Sequence, residues 1–166
     1  MARAVIRLSD VVTEIGKAFI ALCMVAIVLI TLIAVIWRYA LNDPISWIEQ
    51  VSNMLFIWMI FVGAAILYRQ MLHIVVDFAL EWLPKAVRPI YFWVVEGLNL
   101  CFIVVLFVYS TKLSIDVLDN TTGALDITPA WYYFSAPVAS AMMMLYFAEK
   151  IVDPSKRVPH GTAGDF

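Results

Sequence analysis

The sequence predicts an all-α integral membrane protein. It has four transmembrane helices, an interfacial amphipathic helix on the cytoplasmic side, and both termini in the cytoplasm. Three observations lead there. Of the 166 residues, 64% are apolar and only 14% charged, against roughly 45–50% and about 25% in soluble domains. The apolar residues gather into four runs long enough to cross a bilayer, three without a charge and one with a single charge, Glu96. The Lys and Arg between those runs fall into two very unequal sets, as the positive-inside rule requires.

The first 17 residues read as a solvated lead-in. Arg3, Arg7, Asp10, Glu14 and Lys17 recur at three- and four-residue steps and so follow one helical face. The uncharged run 18–37 is long enough, at about 1.5 Å per residue, for the roughly 30 Å hydrocarbon core. It exceeds a usual signal-peptide core and no small-x-small cleavage site follows, so it reads as a retained span. Trp37 and Tyr39 stand at its far end as interfacial anchors.

A polar hinge occupies 38–49. Pro44 drives Asp43 out of the α region, so the first helix ends before it. Ser46 and Glu49 have the spacing of a capping box for the second helix, although that helix also has the composition to begin near Trp47. Span two covers 51–68, with Gly63-Ala64-Ala65 as a smooth patch for close packing.

The next connection is not a plain loop. Arg69, His73, Asp77, Glu81 and Lys85 recur at four-residue spacing among apolar residues. A helix over 70–83 would carry a narrow polar stripe and a wide apolar face, the pattern of a helix lying in the interface plane. Span three covers 89–111. It carries Glu96, roughly 10 Å inside the boundary, with Asn99 three residues on and therefore on the same face. Gly97 and Cys101 form a small-xxx-small pair beside them. A polar loop follows, and span four covers 127–148. Thr128 is placed to cap it with Pro129 at the first helical position, and Pro137 is expected to kink it. Residues 1–150 thus form one membrane domain, and 151–166 form a polar cytoplasmic tail expected to be mobile.

Nine of the 11 Lys and Arg lie in the lead-in, the second connection and the tail; only Arg38 and Lys112 lie in the other two connections. The hinge therefore faces outward.

Composition and motifs exclude several functions. No basic cluster suits nucleic acid, and no Gly-rich phosphate loop suits ATP. Two cysteines, each inside an apolar run, give neither a metal spacing nor a disulfide framework and read as packing residues. No cofactor is expected. His73 and Asp77 have the spacing of an orienting pair, but a hydrolase also needs a nucleophile or metal ligands beside them. They read better as a polar stripe at headgroup depth. Glu96 is the stronger candidate, because intramembrane carboxylates are functional by default. It suits either a polar contact with Asn99 in the bundle or, in a self-sufficient four-helix exporter, a cation-coupling site. The hinge residues Arg38, Asn42, Pro44, Trp47 and Glu49 are candidates for a compact surface that docks a partner, while Arg38 equally suits snorkelling from the end of span one and Trp47 an interfacial belt; sequence physics alone does not choose.

The order of motifs carries a resemblance. Arg38-Tyr39-x-Leu41-Asn42-x-Pro44-x-x-Trp47-x-Glu49 is followed by Trp58-x-x-Phe61-x-Gly63-Ala64-Ala65. Then come Arg69…His73-Ile74-x-Val76-Asp77 and Pro129-x-Trp131…Pro137. This series resembles the small membrane subunit, DctQ type, of tripartite ATP-independent periplasmic (TRAP) transporters. It departs at Gln50, where the family often has a second acid, and at 70–72, where it often has a glycine. The resemblance implies an accessory subunit of the bacterial inner membrane. Its expected partners are a large membrane subunit of about a dozen spans, a periplasmic substrate-binding protein and membrane lipid. The expected activity of the assembly is sodium-driven uptake of an organic acid such as a dicarboxylate or sialic acid. Within it, Arg38, Asn42, Trp47 and Glu49 hold the outer hinge, while Arg69, His73 and Asp77 anchor the cytoplasmic segment.

Overall fold

The computed structural model describes residues 2–43, 45–71, 88–119 and 127–152. Pro44, the segment 72–87 with His73 and Asp77, the stretch 120–126 of the third connection and the tail beyond residue 152 lie outside the described residues. So does nearly all of the expected interfacial helix.

Every described regular element is helical. Helix α1 (Ala2–Ile36) joins the lead-in and the first span in one rod about 52 Å long. A π-helical turn, Trp37–Leu41, extends it. It stops at Asn42, whose φ of 56° is left-handed, a conformation that asparagine tolerates better than most side chains. Helix α2 (Ile48–Met71) begins with the Val51 N–H donating to the Trp47 carbonyl at 3.1 Å. Ser46 lies in the turn before it and, among the described residues, caps nothing. Helix α3 is Arg88–Asp116. The last helix comes in two pieces, α4 (Ala130–Tyr133) and α5 (Ser135–Val152). Thr128 Oγ1 accepts the Ala130 N–H at 3.1 Å at its start. The interruption at Phe134 falls where Pro137 has no N–H to offer the Tyr133 carbonyl.

Among the described residues, three helical stretches, Arg3–Ala40, Ile48–Gln70 and Trp93–Asp116, are long and apolar enough to cross a membrane. The last helix is more polar, and packing explains why. It is the hub: α1, α2 and α3 all lie against α5, and α1 also packs on α2. Among the described residues α3 packs on the α4–α5 pair and barely touches α1 or α2. A helix shielded by three neighbours has less need of apolar side chains on every face. Its buried serines are satisfied within the helix itself: Ser135 donates to the Tyr132 carbonyl at 2.7 Å and Ser140 to the Ala136 carbonyl at 2.8 Å.

Hydrogen bonds fix the register along the bundle. The Tyr132 hydroxyl donates to the Gln50 carbonyl at 3.0 Å near the start of α2, and Glu149 meets Arg69 near its end. The last helix therefore runs parallel to α2 over most of its length. The Trp58 indole N–H adds a bond to the Trp131 carbonyl at 2.8 Å. The core centres on Ala65, Ala139 and Tyr146. The small patch of α2 contributes Ala65, while α1 packs tightly on α2 at Gly16. A Cβ there would stand 2.9 Å from Ile66 Cδ1. Cys23 is buried as expected of a packing residue, but Cys101 is exposed, and a Cβ at Gly97 would meet nothing within 4 Å. Among the described residues, both lie on the side of α3 that faces away from the α4–α5 pair.

Candidate functional site, an inner polar knot and an outer hinge

The described ionic and polar side chains concentrate at two places, the end where α2 finishes and the end where it begins, named inner and outer after the orientation expected from the sequence. The inner end is built around Arg69. Its fork has five N–H donors. Nε and Nη2 donate to Glu149 at 2.9 and 2.7 Å, a bidentate pair across helices. Nη2 also donates to Asp10 at 2.6 Å. Nη1 donates to Thr13 Oγ1 at 2.8 Å and, more weakly, to the Ser9 carbonyl at 3.4 Å. The guanidinium carbon lies 5.4 Å from the centre of the Tyr146 ring. Thr13 donates to the Ser9 carbonyl at 2.7 Å, and its hydroxyl is 3.0 Å from that of Tyr146. One arginine thereby ties α1, α2 and α5 together.

Beside it, Lys150 of α5 donates to Glu96 of α3, and both side chains are buried. Glu149 and Lys150 are neighbours in sequence. The two adjacent charges of α5 therefore reach opposite ways, one to α2 and one to α3. Glu149 itself is only 1% exposed, so its charge is sustained by the arginine rather than by water. The hydroxyls of Ser9 and Tyr68, also buried, find no partner among the described residues.

The outer hinge differs in every respect. Arg38, Asn42, Trp47 and Glu49 are all exposed. Among the described residues no hydrogen bond or ion pair engages their side chains. Arg38 and Glu49 face one cleft of about 430 Å³ between the end of α1 and the start of α2, floored by Ala34, Ile45 and Ile48.

The structure thus separates the expected site residues. Arg69 stands in the knot, whereas its expected companions His73 and Asp77 lie outside the described residues. Glu96 is in a polar contact inside the bundle, and its partner is Lys150 rather than Asn99. Asp10, Thr13, Tyr146, Glu149 and Lys150 are not among the site residues that the sequence predicts. One signal was available: Glu149 and Lys150 are the first charges after span four, as Arg69 is the first after span two. Such terminal charges meet when two helices end at the same depth. Chemically, the knot is suited to holding helices. Among the described residues, no three His, Cys, Asp or Glu side chains come together to hold a metal ion.

Residues 27–157 match the family model described as tripartite ATP-independent periplasmic transporters, DctQ component. The chain is 33% identical over 104 residues to the C4-dicarboxylate TRAP transporter small permease protein DctQ of Vibrio cholerae, covering 63% of this chain and 45% of that protein. It is 29% identical over 119 residues to the sialic acid TRAP transporter small permease protein SiaQ of the same organism, covering 72% and 69%. It is also 22% identical over 125 residues to the sialic acid TRAP transporter permease protein SiaT of Haemophilus influenzae, covering 75% of this chain and 20% of that one. The chain thus spans about half the length of the first relative and a fifth of the permease.

Proposed function

Because this chain belongs to the DctQ component family of tripartite ATP-independent periplasmic transporters, we propose that it braces a larger membrane subunit and helps seat a periplasmic substrate-binding protein during solute uptake. It is a small TRAP permease subunit and a multi-pass protein of the bacterial inner membrane. The match to a fifth of a larger permease carries the reading. In that relative, a segment like this chain shares one polypeptide with a much longer membrane partner. A separate chain of the same kind is expected to sit beside such a partner, and to leave the substrate site to it.

The internal bonding supports a bracing role. Arg69 and Lys150 join all four helical columns at one end, which favours a rigid body over one that rearranges. The hinge is the surface left for the receptor. In this reading the α4–α5 pair is a fourth span, supported by its register against α2 from Gln50 to Arg69. The termini lie in the cytoplasm, and the transported solute is an organic acid such as a dicarboxylate or sialic acid, driven by sodium. The exporter alternative loses ground, because Glu96, on which it depends, is engaged by Lys150 inside the bundle.

The test is reconstitution. The chain should co-purify with a large polytopic protein. Uptake into liposomes should need that protein, a periplasmic receptor and an inward sodium gradient. Transport by the purified chain alone would overturn the accessory role.

A further inference from the structure

The lead-in of α1 carries two arginines and an apolar stripe that are exposed and that, among the described residues, make no ion pair in the bundle. Arg69, at the inner end of α2, meets α1 at Ser9, Asp10 and Thr13. Past Ser9, Arg7 therefore lies about half a turn and Arg3 just under two turns farther along α1, one helical turn apart on one face. Both are exposed, and among the described residues neither is bonded to a carboxylate. The other charges of this stripe are engaged: Asp10 with Arg69, and Lys17 with Glu14 at 2.7 Å. No acid stands in the first turn of α1, so Arg3 opposes the positive end of the helix dipole and gains nothing locally.

Next to the arginines runs the stripe Leu8, Val11 and Ile15, exposed by 53, 55 and 64%. Its angular position on the helix is that of Leu22 and Leu29 above, which are also exposed and belong to the apolar span. The apolar face of α1 thus continues without a break to the level of the knot and slightly past it. Water is a poor neighbour for such a stripe, and acyl chains are a good one. Long cationic side chains beside it reach the headgroups by snorkelling.

We propose that the inner end of α1 is a contact site for anionic phospholipid. Arg3 and Arg7 meet the headgroup, and Leu8, Val11 and Ile15 lie along the acyl chain. This rests on the cytoplasmic placement of the N-terminus proposed above. Its occupant is an inner-leaflet lipid, chosen by charge complementarity and by continuity with the lipid-facing stripe.

The experiment uses the chain with its large membrane partner, reconstituted in nanodiscs of phosphatidylethanolamine with a minor share of phosphatidylglycerol. Lipid retained after a detergent wash is quantified by mass spectrometry. The unsubstituted complex should retain phosphatidylglycerol above its share in the disc. Each basic residue at an anionic surface contributes about fivefold, so Arg3→Gln with Arg7→Gln should lower that preference by about thirtyfold at most. The preference should also fall as salt rises, and Arg38→Gln, at the other end of α1, should leave it intact. No preference in the unsubstituted complex, or full preference in the double variant, overturns the proposal. So does efficient cross-linking of Leu8→Cys to the large subunit, which would make this face a protein interface. The disc measurement reads lipid contact whichever way the chain is inserted. Labelling of Arg3→Cys from outside intact cells would instead overturn the topology, and with it the inner leaflet as the source of the lipid.

Discussion

Arg69 and Arg38 both stand near the end of an apolar helix, and the molecule treats them in opposite ways. Arg69 donates through all three of its nitrogens, to Asp10, Thr13, Glu149 and the Ser9 carbonyl. Arg38 stands exposed beside Glu49 in an open cleft, and the described residues leave both side chains unengaged. Both ends of the bundle are polar, so polarity does not tell them apart. What distinguishes them is whether the polar groups answer one another within the chain. The inner end answers itself and so fixes the fold. The outer end does not, so its side chains remain available to something else. The contrast predicts that substitutions at the inner end change stability, and that substitutions at the outer end change association while sparing stability.

The largest effect is expected at Arg69. Removing one partner of a buried pair leaves the other charge uncompensated, at a cost of about 3–5 kcal/mol. Arg69→Gln does this to Glu149, which is almost fully buried. Asp10 adds little, since its side chain is 59% exposed and water screens it. The variant should accumulate poorly in membranes, and any purified complex should melt well below the unsubstituted one. Arg69→Lys should recover only part of the loss, because an ammonium cannot reproduce the bidentate fork. Unchanged melting of Arg69→Gln would show that the knot does not hold the bundle.

The Glu96–Lys150 pair comes next, and a double-mutant cycle sharpens what it does. Lys150→Met or Glu96→Gln alone should destabilise by about 3 kcal/mol, each stranding a buried partner. The two together should fall within about 1 kcal/mol of the unsubstituted chain. Because α3 packs on the α4–α5 pair and barely on the others, the single variants should loosen α3 in particular. Hydrogen exchange along Arg88–Asp116 is the measurement. Uniform loosening of all helices would instead make the pair part of the Arg69 knot.

The same contrast shows what was legible in the sequence. Helix α1 could be read because its apolar run is exposed over a wide face, so composition alone marks it as a span. Asn42 and the Asn-Asp-Pro turn located the end of the first helical column for a local reason. The last helix was read as a span from its apolar residues, but its central position was not legible. That position depends on which faces meet, and Ser135, Ser140, Glu149 and Lys150 are polar for reasons that appear only once their partners do. Lys150 illustrates the limit: counted along the chain it looks like a tail charge, and in the fold it is a buried partner of Glu96, 54 residues away. Glu96 was conspicuous because a charge inside an apolar run has no local explanation. Its partner was hidden at the end of another run, where charges are ordinary.

The smallest effect on stability is expected at the hinge, where the comparison is most open to being broken. Exposed positions without partners usually change stability by less than about 0.5 kcal/mol. Arg38→Gln and Glu49→Gln should therefore leave expression, membrane insertion and melting nearly unchanged. Trp47→Ala, at a residue that is 40% exposed, should cost slightly more. If the hinge seats the periplasmic receptor, these variants should still assemble with the large subunit and yet need more receptor for the same uptake. The shift should grow smaller as salt rises, because rim charges act mainly on encounter. If the hinge instead meets the large subunit, the variants should lose that subunit on purification, and added receptor should not restore transport. A drop in melting temperature as large as that of Arg69→Gln would remove the distinction between the two ends. It would mean that the outer hinge, like the inner knot, is held by contacts within the chain.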